Sequence, residues 1–230
     1  MFVHGWASGP YVWLHQVSFF KDSHNVHTPH LGIDSKSVSD FIIKNKLDDI
    51  TLVGWSLGGM VSIKLSAELK GRITRLVLIG TNARFTQSAD FEHGINRQVV
   101  EKIYNRMQKD FQGTLDWFYK FCFSSNERSR NEYSHIIKLL GDFITPLDPA
   151  ILLKGLELLM DLDVRHHLAS ISVPTLIIQG GQDRVCPVSA SEFLSKNIKG
   201  SRVRVFENAG HAPFLTEPEN VNKLIEGFIS

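Results

Sequence analysis

The chain has 230 residues and a mass of 26.0 kDa, with 43% hydrophobic and 21% charged residues. That composition fits one globular domain carrying an inserted lid and excludes disordered, collagen-like and disulfide-stapled classes; area scaling puts the buried share of its surface at roughly 70%, enough for a large core. A formal charge of +1 gives no general attraction to nucleic acid or to an anionic membrane, and neither is expected as a partner.

Cys122 and Cys186 lie far apart and form neither a metal-type pair nor a redox Cys-x-x-Cys, so reduced thiols and a cytoplasmic location are expected. No apolar run approaches the roughly 18 residues of a membrane span. The N-terminus lacks the basic-then-apolar pattern of an export signal.

In chain order, Met1 to Val3 lead into His4-Gly5-Trp6, and His24, His27 and His30 then cluster in a loop. Those histidines have no carboxylate partner that can be placed from sequence, so a solvated loop is expected there and no metal. Ile50 to Trp55 is a short β-branched and apolar run, followed from Leu57 to Leu69 by helical spacing at Met60, Ile63, Leu65 and Leu69. Arg75 to Gly80 and Pro174 to Gly180 are too apolar to have a wet face, which points to a mostly parallel sheet flanked by helices. Between Ala83 and His167 strand signals give way to helical ones, as in the leucine-rich face of Ile151 to Met160. The division expected is an α/β core at 1–82 and 168–230 with a helical lid inserted at 83–167. Arg202 to Phe206 alternates as an edge strand does, and Pro218 to Ile229 closes the chain as an amphipathic helix.

Gly54-x-Ser56-x-Gly58 fits a nucleophile elbow, a strand-to-helix turn so tight that small residues must flank the nucleophile. A glycine-rich turn with a helix-capping serine is the plain alternative, and the flanking strand and helix weigh against it. An elbow serine needs a base. His211, in Gly210-His211-Ala212-Pro213-Phe214 after the last strand, is best placed among the ten histidines, and Asp183 after Gly180-Gly181 is the natural third member. The chain order Ser, Asp, His is that of α/β-hydrolases. Oxyanion donors are expected from the backbone N–H groups of Leu57 and Trp6. His4 reads as a residue that orients its loop by hydrogen bonding.

These residues resemble the α/β-hydrolase superfamily, and within it the pimeloyl-[acyl-carrier protein] methyl ester esterases of biotin synthesis. The likeness rests on His-Gly-Trp at 4–6, Gly-Trp-Ser-Leu-Gly-Gly at 54–59, the run from Asp110 to Phe118, Gly-Leu-Glu-Leu-Leu at 155–159, Val-Pro at 173–174 and His-Ala-Pro-Phe at 211–214. It implies Ser56 as nucleophile, His211 as base and acid, Asp183 as its orienter, and Trp6 and Leu57 as oxyanion donors. It places acyl-chain contacts at Phe118, Tyr119, Lys120, Phe121 and Cys122, beside Trp6, Ser56, Leu57 and His211. The loop at 27–35 departs from the family's pattern, and Gly113 and Trp117 stand where arginines for an acidic carrier protein are expected. Arg130, Arg128 and Lys120 keep the lid basic enough for carrier docking, with a solvated helical face as the alternative. The fold also usually opens with an antiparallel hairpin for which no residues precede Met1. Either that hairpin is absent, leaving about six strands, or the start lies upstream.

The function expected is a serine carboxylesterase without cofactor, acting on pimeloyl-[acyl-carrier protein] methyl ester to release methanol. A general short-chain esterase, thioesterase or carbon–carbon bond hydrolase is the nearest alternative. A slow-turnover ligand receptor of the same fold is a remote one.

Overall fold

A computed structural model describes residues 1–29, 34–144 and 148–230; His30 of the histidine cluster lies outside them. In chain order the elements are β1 (Phe2–Val3), α1 (Leu14–Phe20), α2 (Ser35–Lys44), β2 (Ile50–Trp55), α3 (Leu57–Glu68) and β3 (Ile73–Ile79). There follow α4 (Arg97–Lys109), α5 (Phe111–Cys122), α6 (Ser125–Arg128), α7 (Glu132–Ile144) and α8 (Pro149–Asp161). The chain ends with β4 (Thr175–Gly180), α9 (Val188–Asn197), β5 (Arg202–Phe206), α10 (Pro213–Thr216) and α11 (Pro218–Ile229).

The strands form one parallel sheet in the order β1-β2-β3-β4-β5. Leu76, Val77, Leu78 and Ile79 of β3 are completely buried, and every residue of β4 is buried, as strands covered on both faces must be. In β5, by contrast, Arg202, Val203 and Arg204 are exposed, which fits the charged edge read from the sequence. Helices flank the sheet: α2 packs on α3, and α1 on α11.

Five strands are described where about six are expected. Phe2 N–H donates to His27 O at 2.8 Å, and among the described residues no ladder forms there. A two-residue β1 offers too few ladder positions to carry a sixth strand.

Between β3 and β4 the described regular elements are helices, entered through a loop at residues 80–96 that carries isolated bridges, and the two ends of this stretch meet. Val164 N–H donates to Ala83 O at 2.8 Å, Arg84 and Asp163 form an antiparallel bridge, and Thr86 Oγ1 donates to Met160 O at 2.9 Å. The helices therefore leave the sheet and return to it at one point.

Candidate active site

Ser56 is the single residue between β2 and α3. Its backbone has φ +55° and ψ −121°, a conformation that a residue with a Cβ rarely adopts and that persists only where surroundings enforce it. Here Ser56 N–H donates to Ile79 O at 3.0 Å, and its carbonyl accepts from Thr81 Oγ1 at 2.6 Å and from Gly59 N–H at 2.9 Å. A side chain at position 58 would leave no room for this turn: a Cβ on Gly58 would lie 2.4 Å from Val3 O and 2.5 Å from His4 O. The first turn of α3 thus lies directly against the chain leaving β1.

That contact brings the His4-Gly5-Trp6 loop over the serine. A methyl group on Gly5 would come within 3.1 Å of Ser56 Cβ. The amide of Leu57, first in α3, has no intrahelical carbonyl to bond, and neither it nor the Trp6 amide donates to another described residue. His4 Nδ1 sits 3.0 Å from Gly5 O and 3.5 Å from Ser8 Oγ, in keeping with an orienting role within the loop.

Asp183 and His211 meet at the C-terminal ends of β4 and β5, with Asp183 Oδ2 2.8 Å from His211 Nδ1. The His211 side chain is 1% exposed and that of Asp183 0%, so the bond is shielded from water. The other carboxylate oxygen accepts from Val185 N–H at 2.7 Å and Cys186 N–H at 2.9 Å, while Gln179 Nε2 adds a bond to Oδ2 at 3.2 Å. Two backbone amides and a side-chain amide all donate to Asp183, so the carboxylate acts as an acceptor and the imidazole proton resides on Nδ1. Nε2 is left with its lone pair. It is buried and has no hydrogen-bond partner among the described residues, Ser56 Oγ included. The imidazole lies 5.4 Å, centroid to centroid, from the ring of Trp55, whose Nε1 donates to His211 O at 2.9 Å.

The candidate acyl contacts divide by environment. Phe118 is buried edge-on against Trp6 at 4.8 Å, and Tyr119 is buried with its hydroxyl donating to Ala7 O at 2.7 Å. Cys122 is buried, and its carbonyl accepts from His211 N–H at 2.7 Å. Lys120 is exposed, and Phe121 stacks on Trp117 at 5.2 Å with the Arg184 guanidinium 4.5 Å from the centroid of the Phe121 ring. Burial raises the Tyr119 hydroxyl pKa and pushes the Cys122 and Cys186 thiols well above their ordinary range, the nearby Asp183 charge adding to the latter two. Among the described residues no group of three or more His, Cys, Asp or Glu side chains is placed to hold a metal ion, and no helix is long and apolar enough to cross a membrane.

Sequence reasoning missed Thr81, Gln179 and Arg184. Arg184 donates to Phe121 O at 3.0 Å and Phe123 O at 3.1 Å, fastening the end of α5 beside Asp183. No local pattern marks these residues: Thr81 and Arg184 act on partners brought near only by the fold, and Gln179, though four residues from Asp183, meets it only through the turn after β4.

A protein 31% identical over 99% of this chain and 96% of its own length is the "Pimeloyl-[acyl-carrier protein] methyl ester esterase" of Aromatoleum aromaticum. The protein of the same name from Nitrosomonas europaea is 29% identical over 94% of this chain and 90% of its own. Among solved structures, an esterase from Exiguobacterium antarcticum superposes with a TM-score of 0.88 at 25% identity, covering 99% of this chain and 90% of that one. The sequence pattern described as alpha/beta hydrolase fold spans residues 35–218, from α2 to the start of α11, and the chain belongs to that family.

Proposed function

We propose that the chain is a serine carboxylesterase working through an acyl-enzyme, with Ser56 as nucleophile, His211 as general base and acid, and Asp183 as the group that orients the imidazole. The observation that carries this reading is the buried Asp183–His211 bond with Nε2 left open, on a fold that holds Ser56 in a strained turn next to Trp55. Substrate entry closes the contact between Nε2 and Ser56 Oγ, a bond commonly long before substrate binds. Oγ attacks the ester carbonyl as its proton passes to Nε2. The amides of Trp6 and Leu57 take the charge of the tetrahedral intermediate, each donor being worth about 3 kcal/mol. His211 then protonates the departing alcohol, and water repeats the sequence to free the acid. No cofactor enters this scheme.

The specific substrate we propose is pimeloyl-[acyl-carrier protein] methyl ester, with methanol as leaving group. Support comes from the names and near-complete coverage of the relatives. In this reading residues 83–167 form a lid, Trp6, Phe118, Tyr119, Lys120, Phe121 and Cys122 line the acyl path, and exposed Lys120, Arg128 and Arg130 face the acidic carrier.

Hydrolysis of p-nitrophenyl butyrate by wild type and Ser56→Ala tests the chemistry; loss of at least about 10³-fold is expected, and equal rates would remove Ser56 from the mechanism. Rescue of a biotin auxotroph lacking its own esterase tests the substrate. An active enzyme that does not rescue growth would leave a general short-chain esterase.

A further inference from the structure

Glu127 is a buried carboxylate that the scheme above does not use. It is 2% exposed, yet no Lys, Arg or His lies within ion-pair distance among the described residues. A buried anion without a counter-ion is costly unless hydrogen bonds satisfy it. Glu127 Oε2 accepts from Ser124 N–H at 2.7 Å and from Gly210 N–H at 2.9 Å, and Oε1 accepts from Thr216 Oγ1 at 2.6 Å. The bond to Ser124 completes a capping box at the start of α6. Capping requires only that bond. The other two reach across the molecule to residues on either side of His211.

The surrounding bonds converge on the same segment. His211 N–H donates to Cys122 O, Ser124 Oγ donates to Asn208 O at 2.9 Å, and the His211 carbonyl is held by Trp55. Position 210 has no room for a side chain: a Cβ there would lie 2.3 Å from Cys122 O and 2.9 Å from both Glu127 Oε2 and Ser124 N. The backbone before the histidine is therefore pressed onto the junction of α5 and α6.

We propose that Glu127 is a positioning residue for His211, its carboxylate bracketing the histidine loop through Gly210 and Thr216 and fixing where Nε2 points. The inference rests on the esterase reading. It also ties the helices between β3 and β4 to the base itself, so the α5–α6 junction belongs to the fixed part of the site.

The test compares Glu127→Ala and Glu127→Gln with wild type and Ser56→Ala by p-nitrophenyl butyrate kinetics, thermal melting and the downfield proton resonance of His211 Nδ1–H. Misplacement of a catalytic group by about 1 Å can cost about 100-fold, so Glu127→Ala is expected to lose about 10- to 100-fold in kcat with KM within about twofold, and to lose or shift the resonance. Glutamine keeps one oxygen for the two amides while Thr216 turns to accept from its nitrogen, so Glu127→Gln should recover kcat to within about threefold. If Glu127→Ala does not fold, Glu127→Asp, which keeps charge in the first turn of α6 but is shorter by a methylene, carries the same expectation as alanine. Kcat within about twofold of wild type and an unchanged resonance in the alanine or aspartate variant would overturn the proposal, whatever the melting temperature. So would a glutamine variant as impaired as alanine. Should wild type itself fail to hydrolyse the ester, the esterase reading falls, and the resonance, which Ser56→Ala leaves in place, still decides the role of Glu127.

Discussion

Asp183 divides its oxygens between two tasks. Oδ1 takes the amides of Val185 and Cys186 and so fixes the loop, while Oδ2 faces Nδ1 of His211. Asparagine can keep the first task by presenting its oxygen to the amides, but its nitrogen would then face Nδ1 and force the proton to Nε2, the wrong tautomer for a base. Asp183→Asn is therefore expected to lower kcat by about 10³- to 10⁴-fold with a melting temperature close to wild type; a variant retaining a tenth of wild-type kcat would contradict the assigned tautomer. A second prediction concerns Cys122 and Cys186. Both thiols are buried and their pKa values are raised, first by desolvation and then by Asp183, so little reactive thiolate forms. Iodoacetamide should leave the native protein unlabelled and modify both cysteines after denaturation, as counted by intact mass. That Ser56, Asp183 and His211 each follow the end of a strand is legible in the sequence, because apolar or alternating runs mark β2, β4 and β5. The open Nε2 and the Thr81 and Gln179 contacts are not legible, since the first depends on angles, the second on a partner distant in the chain, and the third on how the turn after β4 brings Asp183 back to the strand.

At the scale of elements, the decisive unit is the passage from β2 through Ser56 into α3. Periodicity marks it well: Leu52 and Val53 are buried in the strand, and Met60, Ile63 and Leu65 are buried in the helix. What periodicity omits is the contact of that helix with the chain leaving β1. Gly58→Ala would set a methyl group on two backbone carbonyls, which cannot rotate away as a side chain can, so either α3 or the loop bearing Trp6 must shift. Overpacking of this kind costs about 1 to 3 kcal/mol. The shift would also move the Trp6 amide against the Ser56 position. On the proposed oxyanion role of that amide, the variant should melt earlier and lose at least about tenfold in kcat; melting alone would mean the loop keeps its place. The two-residue β1 closes one edge of the sheet, which has five strands among the described residues where about six are expected. The capping box from Ser124 to Glu127 is a local contact, whereas the reach of Glu127 to Gly210 spans 83 residues and depends on the whole fold.

For the whole molecule, an accessible surface of 10790 Å² matches the value expected for a compact folded chain of this mass. The large-scale question is how the helices between β3 and β4 stay fastened to the sheet. Their ends meet at a cluster in which Arg165 binds Asp163 at 2.7 Å and Asp90 at 2.9 Å, and Arg84 binds Asp163 at 3.2 Å. The Ser88 hydroxyl and then Arg165 hold the Asp90 carboxyl at about 2, below its ordinary value of 3.8. Burial pushes the Asp163 carboxyl upward, but hydrogen bonds from the Arg165 side chain and backbone outweigh it, leaving the pKa lowered. A carboxyl whose folded pKa is depressed stabilises the fold above its unfolded pKa, and that contribution is lost as pH falls through the folded value. The window therefore opens near pH 4 and closes near pH 2 for Asp90. Wild type should lose melting temperature across it, whereas Asp163→Asn combined with Asp90→Asn should start lower at neutral pH and fall less between pH 4 and 2, so that the two curves converge. Parallel curves would mean that the cluster does not fasten the helices. Exposed pairs screened by water give little, so the effect should come mainly from Asp163, whose side chain is only 27% exposed and bonds both arginines.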